Sequence, residues 1–134
     1  MDVLIPAGGA AALWAGLNLL VLLVLSVLVT RQRRRHRVAV GDDGVPELVR
    51  ALRAFGNASE YIPAGLAALA ILALAGAHPA IVHVVGAILF FGRVAHGVGL
   101  SLSAGTSLGR SVGMILTWIA WLMAAVCLLF YGMG

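Results

Sequence analysis

Lysine is missing from this sequence, cysteine occurs once, and charged residues make up only 10% of it, against about 25% in an ordinary soluble domain. With so little charge and 62% hydrophobic residues, the chain cannot clothe a surface in water, so water is not its solvent. The lone Cys127 lies in the last apolar stretch, which excludes an intramolecular disulfide and reads as a small buried hydrophobe. The histidines do not stand with cysteines or carboxylates at a metal-ligand spacing, so no metal is expected. No glycine-rich phosphate loop follows a strand, and no serine is placed as an evident triad nucleophile. Internal repeats and low-complexity linkers are also lacking.

What the chain has is apolar length. A membrane-spanning helix takes roughly 20 residues, so four spans with short connections consume nearly all 134 and leave no room for a soluble domain. The spans are expected at about 6–30, 46–75, 79–102 and 110–131, which predicts an all-α integral membrane four-helix bundle as a single domain over 1–134. The first stretch is longer than the ~7–15-residue apolar core of a signal peptide and ends in arginines, so it is expected to be retained. Gly41-Asp42-Asp43-Gly44 reads as a turn, with Pro46 and Glu47 suited to the first turn of a following helix. Gly76-Ala77-His78-Pro79 reads as a tight connection, because glycine ends one helix and proline starts the next.

All nine basic residues are arginines, and five of them crowd into Arg31-Gln32-Arg33-Arg34-Arg35-His36-Arg37. Such a run can bind nucleic acid, but placed directly after an apolar span it reads as an anchor on anionic lipid headgroups, with no nucleic acid partner. Arginines flank the first and third connections, whereas the termini and the second connection carry none. The positive-inside rule then puts both termini outside the cytoplasm.

Polar residues inside the spans are few enough to single out. Arg50, Arg53, Asn57 and Glu60 are spaced by three, four and three, which gathers them on one stripe of a helix expected to face its neighbours. Two uses fit that stripe: an amphipathic first turn in which Glu60 pairs with an arginine, or a binding face. Pro63 removes a backbone hydrogen bond beside it and is expected to kink the helix. On the third span Arg93 and His96 share a face bracketed by Gly92, Gly97 and Gly99, which admit a neighbouring backbone or a ligand. Arg93 either snorkels, or pairs with Glu60, or holds an anion; the arginines outnumber the carboxylates, which favours the anion. Arg110 and Ser111 open the fourth span, where free N–H groups and the helix dipole favour negative charge. Three helices thus offer cationic groups at one depth, a setting for a small multiply charged guest whose amino group Glu60 can hold.

Four spans, a basic first loop, Arg53-Ala54-Phe55-Gly56-Asn57-Ala58-Ser59-Glu60-Tyr61-Ile62-Pro63, Gly92-Arg93-Val94-Ala95-His96 and Arg110-Ser111-Val112 together resemble the MAPEG family, membrane-associated proteins in eicosanoid and glutathione metabolism. The likeness covers almost the whole chain and is strongest to small bacterial inner-membrane members. It implies a homotrimer of four-helix subunits with glutathione bound between adjacent subunits near the cytoplasmic face. Arg53, Asn57 and Glu60 match glutathione contacts on the second helix, His96 matches one on the third, and Arg93 matches the family's third-helix arginine. One of Arg31, Arg33 and Arg34 matches an arginine ending the first helix. Arg110 and Ser111 match residues near the thiol, which implies thiolate activation for catalysis.

The chain departs from enzymatic relatives where Phe55 and Gly56 replace a histidine and an arginine, and where Leu100 and Met114 replace aromatic hydroxyls. The expected function is a glutathione-binding membrane protein acting as a transferase or peroxidase on lipophilic small molecules delivered by the membrane lipids. Two alternatives stand beside it. One is a non-catalytic oligomer with a structural polar stripe; the other is a small multidrug exporter, which would want a lone carboxylate where Glu60 has many arginines for company.

Overall fold

The computed structural model describes residues 4–103 and 105–134, which form four helices: α1 (Leu4–His36), α2 (Pro46–Leu74), α3 (Pro79–Leu102) and α4 (Leu108–Met133). All four are long and apolar enough to cross a membrane, so the chain is an all-α, four-span membrane protein. A helix satisfies its own backbone hydrogen bonds, as a spanning segment must where no water is available.

The first helix runs past Thr30 and through the arginines. Arginine and glutamine are good helix formers, and basic side chains in a last turn complement the negative end of the helix dipole. At 1.5 Å per residue its 33 residues reach roughly 50 Å, against ~30 Å of hydrocarbon, so the arginine-rich end stands clear of the bilayer core. It stops where Arg37 turns left-handed (φ 57°) and the Val38 N–H bonds back to the Arg33 carbonyl at 3.0 Å. The Arg33 guanidinium then ties down the loop, donating to the Gly41 carbonyl at 2.9 Å and, more weakly, to those of Val38 and Ala39.

The second helix starts with Pro46 at its first turn, after a turn in which the Gly44 N–H bonds the Asp42 carboxylate at 2.8 Å. It remains helical through Pro63. Gly76, at φ 77°, closes it, and the Ala77 N–H caps the Leu72 carbonyl at 3.0 Å before Pro79 opens α3. α4 begins two residues earlier than the sequence suggests, because the Ser107 hydroxyl accepts from the Arg110 N–H at 3.3 Å and so caps the helix.

In the bundle α2 and α3 pack together, α1 lies against both on one side, and α4 lies against both on the other; α1 and α4 do not meet among the described residues. α3 and α4 have the most extensive contact, made possible by Gly92, Gly99, Gly109 and Gly113, whose missing side chains let the two backbones close on each other. Small and branched residues form one core around Leu69, Leu72, Val82, Val85 and Leu89, and a second around Leu25, Ala54, Ala58, Ile62 and Leu100 nearer the arginine-rich end. Leu19, Leu23, Val27, Trp118, Leu122 and Phe130 point outward, as they should where hydrocarbon is the solvent.

Candidate functional site

The side of α2 that enters the bundle is set by its small and apolar residues. Ala54, Ala58, Ile62, Gly65 and Leu69 recur at helical spacing and are buried, which turns the polar stripe away from the centre. Arg53 and Glu60 are therefore exposed on the single subunit and Arg50 and Asn57 are half-buried, so within one chain only part of the stripe faces neighbouring helices. No ion pair joins Glu60 to an arginine among the described residues, and both Glu60 and Arg53 are open on the subunit surface.

Asn57 is the member of the stripe that reaches inward. Its Oδ1 accepts a 2.8 Å hydrogen bond from Arg93 Nη1, and the Arg93 guanidinium lies 5.3 Å from the centroid of the Tyr61 ring. Arg93 Nη2 donates to the Met114 sulfur at 3.6 Å. Arg93 is thus fully enclosed, at 1% exposure, without a carboxylate partner; an amide oxygen, an aromatic face and a thioether share its charge, while its Nε has no partner. Neither snorkelling nor pairing with Glu60 describes it. The arrangement locks the α2–α3 register and fixes Asn57 as a preset element of the stripe.

His96, one turn beyond Arg93, is buried against the Gly113 backbone of α4. Arg110 is half-buried at the start of α4; its Nη1 donates to the Gly105 carbonyl, and its stem lies over Gly99 of α3. The guanidinium has five N–H donors, so this loop contact leaves most of them free. Ser111 is exposed beside it. Arg50 and Arg53 border a recess of about 160 Å³ with Leu100 and Ser103 at the end of α3. The structure thus brings together Arg93 with Asn57, and Arg50 with Arg53, and sets His96 and Arg110 along the α3–α4 seam. Glu60 and Ser111 stand apart from these contacts on the open surface.

The four-residue step from Asn57 to Tyr61, which puts both on one helix face, was the available signal for the aromatic partner of Arg93. Met114 accounts physically for one departure from the expected pattern, since its sulfur occupies the position facing the arginine. Leu100 accounts for the other, being buried against Ala54, Ala58 and Ile62. A fully buried Asn18 on α1 donates to the Trp14 carbonyl at 2.8 Å and keeps an unpartnered Oδ1, a polar feature that the motif reading passed over.

Two comparisons bear on this geometry. The profile described as MAPEG family matches residues 11–130. The inner membrane protein YecN of Escherichia coli strain K12 is 38% identical over 121 residues, covering 90% of this chain and 91% of that protein, and the protein of the same name from the O6:H1 strain matches equally.

Proposed function

The chain belongs to the MAPEG family, and from that premise we propose that it binds glutathione on the polar face of α2, at a junction between subunits of a homotrimer, as a glutathione transferase or peroxidase for lipophilic electrophiles. The observation that carries this reading is the pair Arg53 and Glu60, exposed on a membrane helix beside an Asn57 that Arg93 already holds in place. Ionisable groups next to hydrocarbon are costly unless they face protein or water. A second copy covering that face, with a charged guest between, meets the requirement. Glutathione suits it chemically: its two carboxylates match Arg50 and Arg53, and its ammonium matches Glu60. Among the first-helix arginines, Arg33 is committed to its own loop, which leaves Arg31 or Arg34 to reach a guest from the neighbouring copy.

Arg110 and Ser111 lie in the first turn of α4, where a fixed positive charge and the helix dipole act in the same direction on a thiolate. In the reaction the thiol proton goes to water, the sulfur bonds to an electrophilic carbon, and a leaving group such as chloride departs with its bonding pair. Glutathione added to the purified protein should therefore develop the near-ultraviolet absorption of a thiolate at pH values below the pKa of free glutathione. Arg110→Ala should lose that absorption while still binding glutathione. Binding without ionisation in the wild type would leave recognition but not activation.

Membrane orientation follows from the arginine asymmetry, with both termini outside the cytoplasm. A C-terminal reporter active only in the cytoplasm should give background signal, whereas one active only outside should work. Activity of the cytoplasmic reporter would reverse the orientation.

A further inference from the structure

A cleft of about 400 Å³ lies between α1 and α3, walled by Leu17, Val24, Leu28, Val94, Gly97 and Val98. Gly97 makes the room, since only the Leu25 methyls stand opposite it, at 3.6 Å from where a Cβ would be. Toward the far end Phe90 lines the cleft while packing on Trp14, with ring centroids 6.0 Å apart. Arg93 contributes to the wall, but its guanidinium bonds are to α2 and α4. From Leu17 to Leu28 the cleft follows α1 for roughly 16 Å, about half the ~30 Å hydrocarbon core and so the depth of one leaflet.

The charge above this cleft is ordered with it. Leu17, Val24, Leu28, Arg31 and Arg35 are separated by seven, four, three and four residues, which puts both arginines on the stripe of α1 that lines the cleft. The helix is unbroken to His36, so Arg31 and Arg35 stand roughly 4 and 10 Å beyond Leu28 along its axis. Both are exposed, and neither is consumed by the loop as Arg33 is. An apolar slot one leaflet deep, topped by two free guanidinium groups, is complementary to an amphiphile with an anionic head and a hydrocarbon tail.

We infer that this cleft seats an acyl chain of an anionic phospholipid, from the leaflet that meets the arginine-rich end of α1, with the phosphate held by Arg31 and Arg35. The cleft is separate from the polar face of α2, and with Arg31 on the phosphate it is the exposed Arg34 that remains to reach a guest in a neighbouring copy, so the lipid occupies its place whether or not glutathione binds.

Native mass spectrometry of protein released from mixed micelles measures retained lipid, using phosphatidylglycerol and phosphatidylcholine with identical acyl chains as probes. The wild type should retain one phosphatidylglycerol per subunit in preference to phosphatidylcholine. Each basic contact at a membrane surface changes affinity roughly fivefold, so Arg31→Gln with Arg35→Gln should weaken retention about thirtyfold and abolish the preference. Val98→Trp, at an exposed position of the cleft wall, should displace both lipids by filling the slot, whereas Leu122→Trp on the exposed face of α4 should displace neither. Helicity and elution volume, measured in parallel, confirm that the variants fold. Equal retention of the two lipids by folded wild type, or retention unaffected by the arginine and Val98 substitutions, would overturn the assignment. So would a disulfide between copies through Val98→Cys in a Cys127→Ala background, since a second subunit would then cover the cleft.

Discussion

Gly113→Leu should prevent α3 and α4 from closing and yield protein that aggregates or elutes without its native assembly. A Cβ at residue 113 would stand 2.6 Å from both the Gly92 carbonyl oxygen and the His96 Cβ. The first of these is backbone and the second is fixed to it, so no rotamer change relieves the overlap. Overpacking a core costs about 1–3 kcal/mol where side chains can shift, and here the upper end or beyond is expected because two helices must separate. The same separation would pull Met114 away from Arg93. Gly113→Ala should show a milder loss of thermal stability, and Gly16→Leu, where nothing lies within 4 Å of the added carbon, should behave like the wild type. Size-exclusion profiles and thermal melts in one detergent make the comparison. A Gly113→Leu protein as stable as Gly16→Leu would show that the α3–α4 contact is not as close as described.

The second large effect concerns the guest. Arg53→Ala and Glu60→Ala should each weaken glutathione binding by roughly tenfold to a hundredfold, the range for hydrogen bonds to charged groups worth about 1.5–3 kcal/mol. Both side chains are exposed on the subunit and make no ion pair with each other, so neither substitution removes a contact that the fold depends on. The assembly state of the wild type, measured by light scattering, should persist. Arg53→Lys should fall between, because an ammonium keeps the charge but loses the planar fork that engages a carboxylate. Loss of the wild-type assembly in both alanine variants, or unchanged affinity in both, would instead mark the stripe as a structural seam between copies.

Much of this fold is legible in the sequence because the bilayer simplifies the problem. Apolar length alone marks the four helices, and Gly76 and Pro79 mark a turn whose geometry the backbone then satisfies. Helix ends are less legible where polarity alone suggests a stop: the arginines after Thr30 continue α1 because they form helix well, and the Ser107 cap draws α4 back toward the loop. The periodicity of Arg50, Arg53, Asn57 and Glu60 was visible, yet not which way the stripe turns. That depends on Ala54, Ala58 and Ile62 winning the bundle-facing side. Arg93 and Asn57 were both visible as polar residues in apolar surroundings, but their pairing depends on the register of α2 against α3, which neither segment encodes alone. The cleft beside α1 was hidden for the same reason, since a cavity is a property of two helices and not of either one.

The central claim is that the polar face of α2 recognises glutathione, and calorimetric titration of glutathione into the detergent-purified protein tests it most directly. Saturable heat that disappears in an Arg53→Ala, Glu60→Ala double variant of unchanged assembly is the predicted result. Folded wild-type protein that gives only dilution heat, and whose thermal stability glutathione does not raise, would contradict it.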